Sequence, residues 1–376
     1  KKTFKAAGTF MNENFLGYNN FVWFTGVIED RNDPEYLGRV RVRCFGFHTS
    51  DNNLLGTADL PWAHCLLPTT SAGISGLGQS PSALVNGSVV LGYFRDGADA
   101  QEPIVLGSLP GRPTSLAQSG GFQDVDGTYP KYKDEVDTNR LAVNLKEETS
   151  QGATELSPHL SLTLRRNTRI IDVATADFNP VTAADGGDIA GSNGDLFSQP
   201  SIPYNTTYPF NKVLETESGH IKEYDDTAGS ERIHERHRTG TSYEIDSTGT
   251  RTDIIKNNHY TFVSSKSQAF ISGDSDMTIN GRHKLYINKN GSVDNHYDIQ
   301  IGENASINIQ VDKGDINLVT VDGKINVNAG GDYNLKVAGN MTTVVQGSLT
   351  ETIEGTKTSN TTSAVIHRGS TIDLNP

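Results

Sequence analysis

Long apolar runs are missing from this chain of 376 residues, and hydrophobic residues make up only 35% of it. No stretch approaches the roughly 18 to 20 consecutive apolar residues that a bilayer-spanning helix needs, so we expect no membrane span. The lysine-rich start is not followed by an apolar signal region, and we therefore expect synthesis as a soluble protein in the cytosol. So little core material in so long a chain predicts that much of it is extended or that several chains share one core.

Cysteine is nearly absent, since Cys44 and Cys65 are the only two in the sequence. Two cysteines do not make a disulfide framework, and a zinc site within one chain needs more ligands than they supply. We expect both to be free thiols that are buried and pack as small hydrophobic residues.

Positive charge is in the minority, because 45 acidic residues face 32 lysines and arginines, which gives a net charge of -13. A field of this sign repels phosphate backbones and anionic lipid surfaces, so nucleic acid is not an expected partner. The length favours two or three domains of roughly 150 residues each.

Five β-rich runs, separated by Gly, Pro and Asp, lie close together near the start of the chain, at residues 21–30, 38–45, 60–67, 87–94 and 103–109. In the second run Val40, Val42 and Cys44 alternate with arginines, which predicts a strand with one buried face and one cationic face. Five short strands suit a small closed barrel of the OB type, because closure removes exposed sheet edges. We assign residues 21–110 to this barrel and residues 1–20 to an N-terminal arm.

Residues 111–212 have no comparable pattern. They contain several prolines and a run rich in Gly, Asp and Ala between residues 183 and 194, which favours extended or irregular backbone. We interpret this segment as an extended connector with one small hairpin, formed by residues 160–164 and 168–173.

An eight-residue repeat marks the last part of the chain. Glycine recurs at a spacing of eight, at Gly323, Gly331, Gly339, Gly347 and Gly355. Apolar residues follow two, four or six positions after these glycines, and the predicted core consists of Ile325, Val327, Leu335, Val337, Met341, Val345, Leu349 and Ile353. This alternation predicts strands with one inward face, and glycine supplies the unusual dihedral angles of the corners between them.

A unit of eight residues makes one strand and one corner, for which a single chain offers no pairing partner. Three chains that wind around a common axis solve this problem, because each strand then pairs with the other two chains and the apolar residues meet on the axis. We therefore predict an all-β protein whose residues 213–376 form an intertwined triple-stranded β-helix in a homotrimer. At the usual strand spacing this rod is on the order of 100 Å long.

Two segments resemble a known family. The first runs from residue 30 to 43 and contains Asp-Arg-Asn-Asp-Pro and then Leu-Gly-Arg-Val-Arg-Val-Arg; the second, at residues 217–241, contains Asp-Asp-Thr-Ala-Gly and Glu-Arg-Ile. They are similar to the barrel and the β-helix entry of the central spike proteins of contractile-tailed bacteriophages, the tail-associated lysozyme family, and to type VI secretion spikes (VgrG). The resemblance implies a homotrimer in the tail baseplate, made in the host cytoplasm, that docks on a trimeric hub protein. On sheath contraction it would pierce the host outer envelope.

The chain departs from that family at the connector. The best-known member carries a lysozyme domain between barrel and β-helix, and residues 111–212 lack its helical, Glu-led pattern. We therefore predict a structural spike and not an enzyme. Two alternatives stay open: a glycan-degrading tailspike enzyme, and a type VI secretion spike, which would need a hub-like region where only about 20 residues precede the barrel.

Three groups of residues invite a chemical function. Glu147 with Glu148, and Asp225 with Asp226, are adjacent carboxylates, but neighbours on a strand point to opposite faces and are poorly placed for a glycosidase. The run from His234 to His237 has one residue between its Glu and its second His, where the zinc-protease pattern needs two on a helix. We interpret all of them as structural, and we expect no cofactor.

The arginines of the second run form the one cationic stripe of the barrel. Binding of single-stranded nucleic acid would also require interleaved aromatic residues, so we favour docking on an acidic hub surface. The candidate docking residues are Asp30, Arg31, Asp33, Arg39, Arg41 and Arg43.

One histidine near the end of the chain offers a metal site that only an assembly can form. Three copies of His367 can meet on the axis and hold one ion, although one histidine per chain is a weak ligand set. Further candidate partners are a small tip protein at the C-terminal end and the tail tube or tape-measure protein.

Overall fold

The computed structural model describes residues 21–80, 83–117, 127–131, 133–143, 189–190, 196–197, 199–279, 281–287 and 297–373. Within these ranges the regular structure is β, apart from two short 3-10 helices at Thr57–Asp59 and Gly97–Asp99. None of the helices in these ranges has the length and apolar character to cross a membrane. The chain divides into two compact units, Lys1–Leu285 and Tyr286–Pro376.

The first five strands close into a barrel. They are β1 (Val22–Asp30), β2 (Val40–Cys44), β3 (Trp62–Cys65), β4 (Val89–Phe94) and β5 (Pro103–Ser108). Their order around the barrel is β1-β2-β3-β5-β4, and only the β3–β5 pairing is parallel. The all-β class and the closed five-stranded barrel are as predicted.

The barrel core is small and tightly packed. Phe24 and Phe94 lie with ring centroids 4.8 Å apart, and Ile28 and Val90 pack into the same cluster. A Cβ atom on Gly92 would lie 2.2 Å from the carbonyl oxygen of Ile104 and 2.5 Å from the Phe24 ring. Only glycine therefore allows β4 to approach β5 this closely.

Both cysteines lie in the barrel as free thiols, as expected, although only Cys44 is buried and Cys65 is half-buried. Burial raises the pKa of the Cys44 thiol to about 12 and that of Cys65 to about 11. Because the thiolate is the reactive form, both side chains act as small hydrophobic residues near neutral pH.

A second sheet follows the connector. Its strands are β8 (Asn211–Glu215), β9 (Ile221–Asp225), β10 (Arg232–Arg236), β11 (Ser242–Ile245) and β12 (Arg251–Ile254). They form an antiparallel meander in which each strand pairs with the next one in sequence. Gly219 and Gly229 take positive φ angles of 89° and 76° in the first two turns, a region that favours glycine.

The described parts of the connector pack against this sheet or pair locally. Leu141 is fully buried against Ile221, and the Tyr204 hydroxyl donates a hydrogen bond of 2.7 Å to the Leu141 carbonyl. A short antiparallel pair joins β6 (Ile189–Ala190) and β7 (Leu196–Phe197). The predicted hairpin at residues 160–173 lies outside the described residues, and the predicted domain boundaries stay predictions.

The repeat region has a different character. Every described residue from 257 to 373 is exposed, and none is assigned to a strand. Bends recur at 330–331, 338–339, 346–347, 354–355 and 362–363, so that six extended residues separate one bend from the next. Among the described residues of the chain, no neighbouring strand pairs with this regular backbone.

Candidate docking and assembly site

Arg43 lies next to the last residue of β2 and is fully buried. Its guanidinium makes a two-bond ion pair with Glu29, at 2.5 Å from Nε to Oε1 and 2.9 Å from the terminal nitrogen to Oε2. It also donates to the carbonyls of Thr49 and Leu55, while the Thr57 hydroxyl donates to Glu29. The expectation that one face of β2 is an open cationic surface is therefore wrong at Arg43, because a carboxylate from β1 closes over it.

Arg41 is mostly covered by an aromatic ring and a turn. Its guanidinium carbon lies 4.5 Å from the centroid of the Trp62 ring, a cation–π distance. One terminal nitrogen donates to the carbonyls of Leu60 and Thr57, at 2.9 and 3.1 Å. Arg41 therefore holds the Thr57–Asp59 helix against β3, and only a small part of its side chain faces solvent.

Arg39 and Asp33 hold the β1–β2 loop together. The Arg39 guanidinium donates to both oxygens of Asp33, at 2.7 and 3.1 Å. Backbone N–H groups of Glu35, Leu37 and Arg39 donate to the same carboxylate. The hydrogen bond from Arg39 outweighs the effect of burial and, with those backbone bonds, holds the pKa of Asp33 well below its usual range.

We expect Asp33→Asn to lower the free energy of unfolding of the barrel by about 1.5 to 3 kcal/mol at pH 7, because the hydrogen bonds to the charged carboxylate of Asp33 are lost. A carboxylate with a depressed pKa contributes stability above its ordinary pKa of 3.8, and this contribution is lost as the pH falls towards the folded value. The difference between wild type and variant should therefore shrink at pH 3. The free energy of unfolding is measured by urea titration at pH 7, 5 and 3, with tryptophan fluorescence as the signal. The exposed variant Glu35→Gln is the control. Equal losses at pH 7 and pH 3 would contradict this role of Asp33.

The other two docking candidates lie nearer to solvent. Arg31 forms an ion pair of 2.7 Å with Glu217, which joins the barrel to the turn after β8. Asp30 is partly exposed and accepts a hydrogen bond from the backbone of Asn32. The structure thus brings all six candidates to the end of β1, the β1–β2 loop and β2, but it engages them in contacts within the chain. Docking by these residues stays a prediction.

An exposed aromatic cluster lies elsewhere on the barrel, on β4, on β1 and at the residue just before β1. Phe21, Trp23 and Tyr93 have ring centroids 5.4 to 6.0 Å apart, and Trp23 is 54% exposed. Trp23 and Tyr93 are directly opposite each other in the β1–β4 register. Our sequence reasoning missed this cluster, although the alternation of Phe21 and Trp23 with the inward Val22 and Phe24 was a signal for it.

A buried network of charges lies on one face of the second sheet. Glu223 forms bonds of 2.7 Å to Arg232 and to Nδ1 of His234, and it accepts a bond of 2.9 Å from Asn211. Arg232 also pairs with Glu244 at 3.2 Å. Burial alone raises the pKa of Glu223, but Arg232, His234 and Asn211 together lower it to about 2. Burial lowers the pKa of His234, which favours its neutral form.

The described groups that were considered for chemistry lie apart from one another. Asp225 is buried on Thr206, whereas Asp226 faces outwards and pairs with Lys212. His234 is buried on one face of β10 and His237 is exposed beyond its end. Among the described residues, no three His, Cys, Asp or Glu side chains are grouped to hold a metal ion. Glu147 and Glu148 lie outside the described residues.

One family model and two known phage proteins are similar in sequence to this chain. The profile of the Gp5 N-terminal OB domain matches residues 47–183. The pre-baseplate central spike protein Gp5 of Enterobacteria phage T4 is 43% identical over 122 residues, which cover 30% of this chain and 20% of that protein. Protein Gp5 of Vibrio phage KVP40 is 35% identical over 296 residues, which cover 73% of this chain and 67% of that protein. The chain belongs to the Gp5 family.

Membership in the Gp5 family confirms the resemblance read from residues 30–43 and 217–241, and with it the OB-type barrel. The chain is a structural spike component of a phage tail baseplate. The OB-domain match begins after β2, so it shares β3, β4 and β5 with the barrel and then continues into the connector.

The predicted core residues, the five repeat glycines and His367 all lie in the repeat region of this Gp5-family chain. The eight predicted core side chains are all exposed in the single chain, from 45% for Val345 to 75% for Leu349. Each of the five repeat glycines lies at a bend, but none has a positive φ angle, so the expected dihedral reason for glycine is wrong there. At four of them, Gly331 to Gly355, an added Cβ meets no atom of the same chain within 4 Å. His367 is exposed, and its proposed tip site stays a prediction.

Proposed function

We propose that this Gp5-family chain assembles as a homotrimer and acts, without catalysis, as the rigid rod that sheath contraction drives through the host outer envelope. Residues 213–376 form the triple-stranded β-helix, and the barrel docks on a trimeric hub protein. A small tip protein on the C-terminal end, and the tail tube or tape-measure protein, are further partners in this proposal.

The observation that carries the proposal is the exposure of the repeat. Apolar side chains recur at every second residue between bends, and a single chain leaves each described one of them exposed to solvent by about two fifths or more. Burying one such side chain is worth about 1.5 to 3 kcal/mol, so a stable protein does not leave a long periodic series of them exposed. Three chains around one axis bury the whole series and pair the extended backbone.

The repeat glycines support the same arrangement. Each marks a bend, yet at Gly331, Gly339, Gly347 and Gly355 the single chain neither demands a left-handed backbone nor crowds a Cβ atom. Close approach of another chain at the corners of a prism gives a reason for glycine at these positions.

A mechanical role without catalysis agrees with the placement of the carboxylates. Asp225 and Asp226 point to opposite sides of the sheet, and Glu223 is held ionised inside a closed network. A glycosidase needs two carboxyl groups that face one substrate, one of them protonated as the acid.

Light scattering on the purified full chain tests the assembly. We expect a mass of three chains of 40.7 kDa that persists in SDS without boiling. A mass of one chain would overturn the shared core. In parallel, incubation with host surface polysaccharide should release no reducing sugar above the buffer blank, and release by the pure protein would instead establish the tailspike enzyme.

A further inference from the structure

The apolar side of the repeat contains one acidic residue. From Gly323 to Gly355 this side consists of the residues two, four and six places after each of four glycines, twelve positions in all, and eleven of them are uncharged. The exception is Glu351, which lies between Leu349 and Ile353 on the same side of one extended segment. A carboxylate therefore stands where every other repeat unit has an uncharged side chain.

A lysine occupies the same side in the next repeat unit. Lys357 follows Gly355 by two positions, just as Leu349 follows Gly347, and the bends at 354–355 and 362–363 keep the spacing of eight. The Lys357 ammonium forms an ion pair with the Glu351 carboxylate of the same chain. The two charges therefore come together on the apolar side of neighbouring units.

The single chain gives no reason for this pair. The side chains of Lys357 and Glu351 are 60% and 55% exposed, and an ion pair so open to water contributes little to stability. The charges of the pair become important only if the apolar side around them is buried, because a buried charge without a partner is strongly unfavourable.

We propose that Glu351 and Lys357 of three chains meet around the axis as one buried ionic layer within the apolar core. The inference rests on the proposed trimer. Three carboxylates and three ammonium groups make the layer neutral, and each charge has partners of opposite sign in its own chain and in the other two. Loss of either residue leaves three like charges together in the core.

The layer also distinguishes the aligned chains from slipped ones. The repeat units resemble one another, so a chain that slides by eight residues still sets apolar side chains against apolar side chains. The same slip moves Glu351 to the level of Thr343 and Lys357 to the level of Leu349. Both charges then lose their partners in the other two chains, and a polar residue in an apolar coiled-coil seam fixes register for the same reason.

Heat resistance of full-chain variants tests the layer. The measured quantity is the temperature at which half of the SDS-resistant trimer is lost, read from gels of samples that were heated first and then not boiled. We expect Glu351→Ala to lower it by at least about 5 °C, because three buried ammonium groups lose their partners. The matched control Glu354→Ala removes an acid from the alternate side of the same segment and should lower it by less than about 2 °C.

Two further measurements distinguish a buried layer from an exposed pair. Exchange of the charges, Glu351→Lys with Lys357→Glu, should recover at least about half of the lost temperature, because opposite charges meet again. Heating in 1 M NaCl should leave the difference between wild type and Glu351→Ala unchanged, since salt screens buried charges much less than exposed ones.

The layer and the trimer fail in different ways. A wild-type mass of three chains, with Glu351→Ala as heat-resistant as Glu354→Ala or with a difference that vanishes in 1 M NaCl, would leave the trimer standing and overturn the layer. If Glu351→Ala forms no trimer, the exchanged pair decides, because an SDS-resistant trimer of that variant supports the layer and its absence overturns it. A wild-type mass of one chain would overturn both.

Discussion

Arg43→Ala is expected to destabilise the barrel by about 3 to 5 kcal/mol, because it leaves the buried carboxylate of Glu29 without its partner. Both side chains have no exposed surface, and three further hydrogen bonds to the pair come from the Thr49–Thr57 segment. Urea unfolding of the full protein, followed by tryptophan fluorescence, measures the loss, because both tryptophans lie in the barrel.

Two further variants distinguish the effect of breaking the buried ion pair from the effect of removing any charged side chain. Arg95→Ala breaks a partly exposed pair with Glu102 and should cost less than about 1 kcal/mol. The double variant Glu29→Leu with Arg43→Met removes both buried charges together and should recover most of the lost stability. An Arg43→Ala variant as stable as Arg95→Ala would contradict the role assigned to the pair.

Leu335→Ala is expected to abolish the SDS resistance of the assembled spike. In a shared core each substitution occurs three times at one level of the rod, and a buried leucine truncated to alanine costs about 2 to 5 kcal/mol per site. In one chain Leu335 is 58% exposed, so truncation there would change little without a trimer. Gel mobility of unboiled samples and the thermal midpoint of the full protein measure the effect.

The neighbouring residue supplies the control. Lys336→Ala changes the side of the same extended segment that faces outwards in the proposed trimer, and it should alter stability by no more than about 0.5 kcal/mol. If both variants behave alike, the apolar side of the repeat is not buried and the triple-stranded arrangement fails.

The barrel was predictable because its strands are short, alternating and separated by clear turn residues. The alternation in β2 correctly placed Val40, Val42 and Cys44 inside. It was wrong at Arg43, because the partner Glu29 comes from another strand and no local pattern pairs them. The burial of Glu223 and His234 was equally invisible, since it depends on connector residues more than ten positions away in sequence.

The spacing of the repeat could be predicted from the sequence, whereas the strand pairing that we expect for it is not present in the described single chain. Spacing of eight and alternation of apolar residues located the bends at Gly331 and Gly339. The reason for glycine was misjudged, because none of these glycines has a positive φ angle, and the close approach between chains that we propose would leave the same sequence pattern. Composition alone did not distinguish the two.

The meander of β8 to β12 also sets an order for assembly. Each strand pairs with its sequence neighbour, so the sheet has low contact order, and hairpins of this kind form in about 1 to 10 μs. In the trimer that we propose, the repeat gains its hydrogen bonds only when three chains meet, a step whose rate depends on concentration. Each newly made chain can therefore bring one folded sheet to the proposed assembly, and winding of the three repeats can then proceed from the sheets towards the C-terminal end.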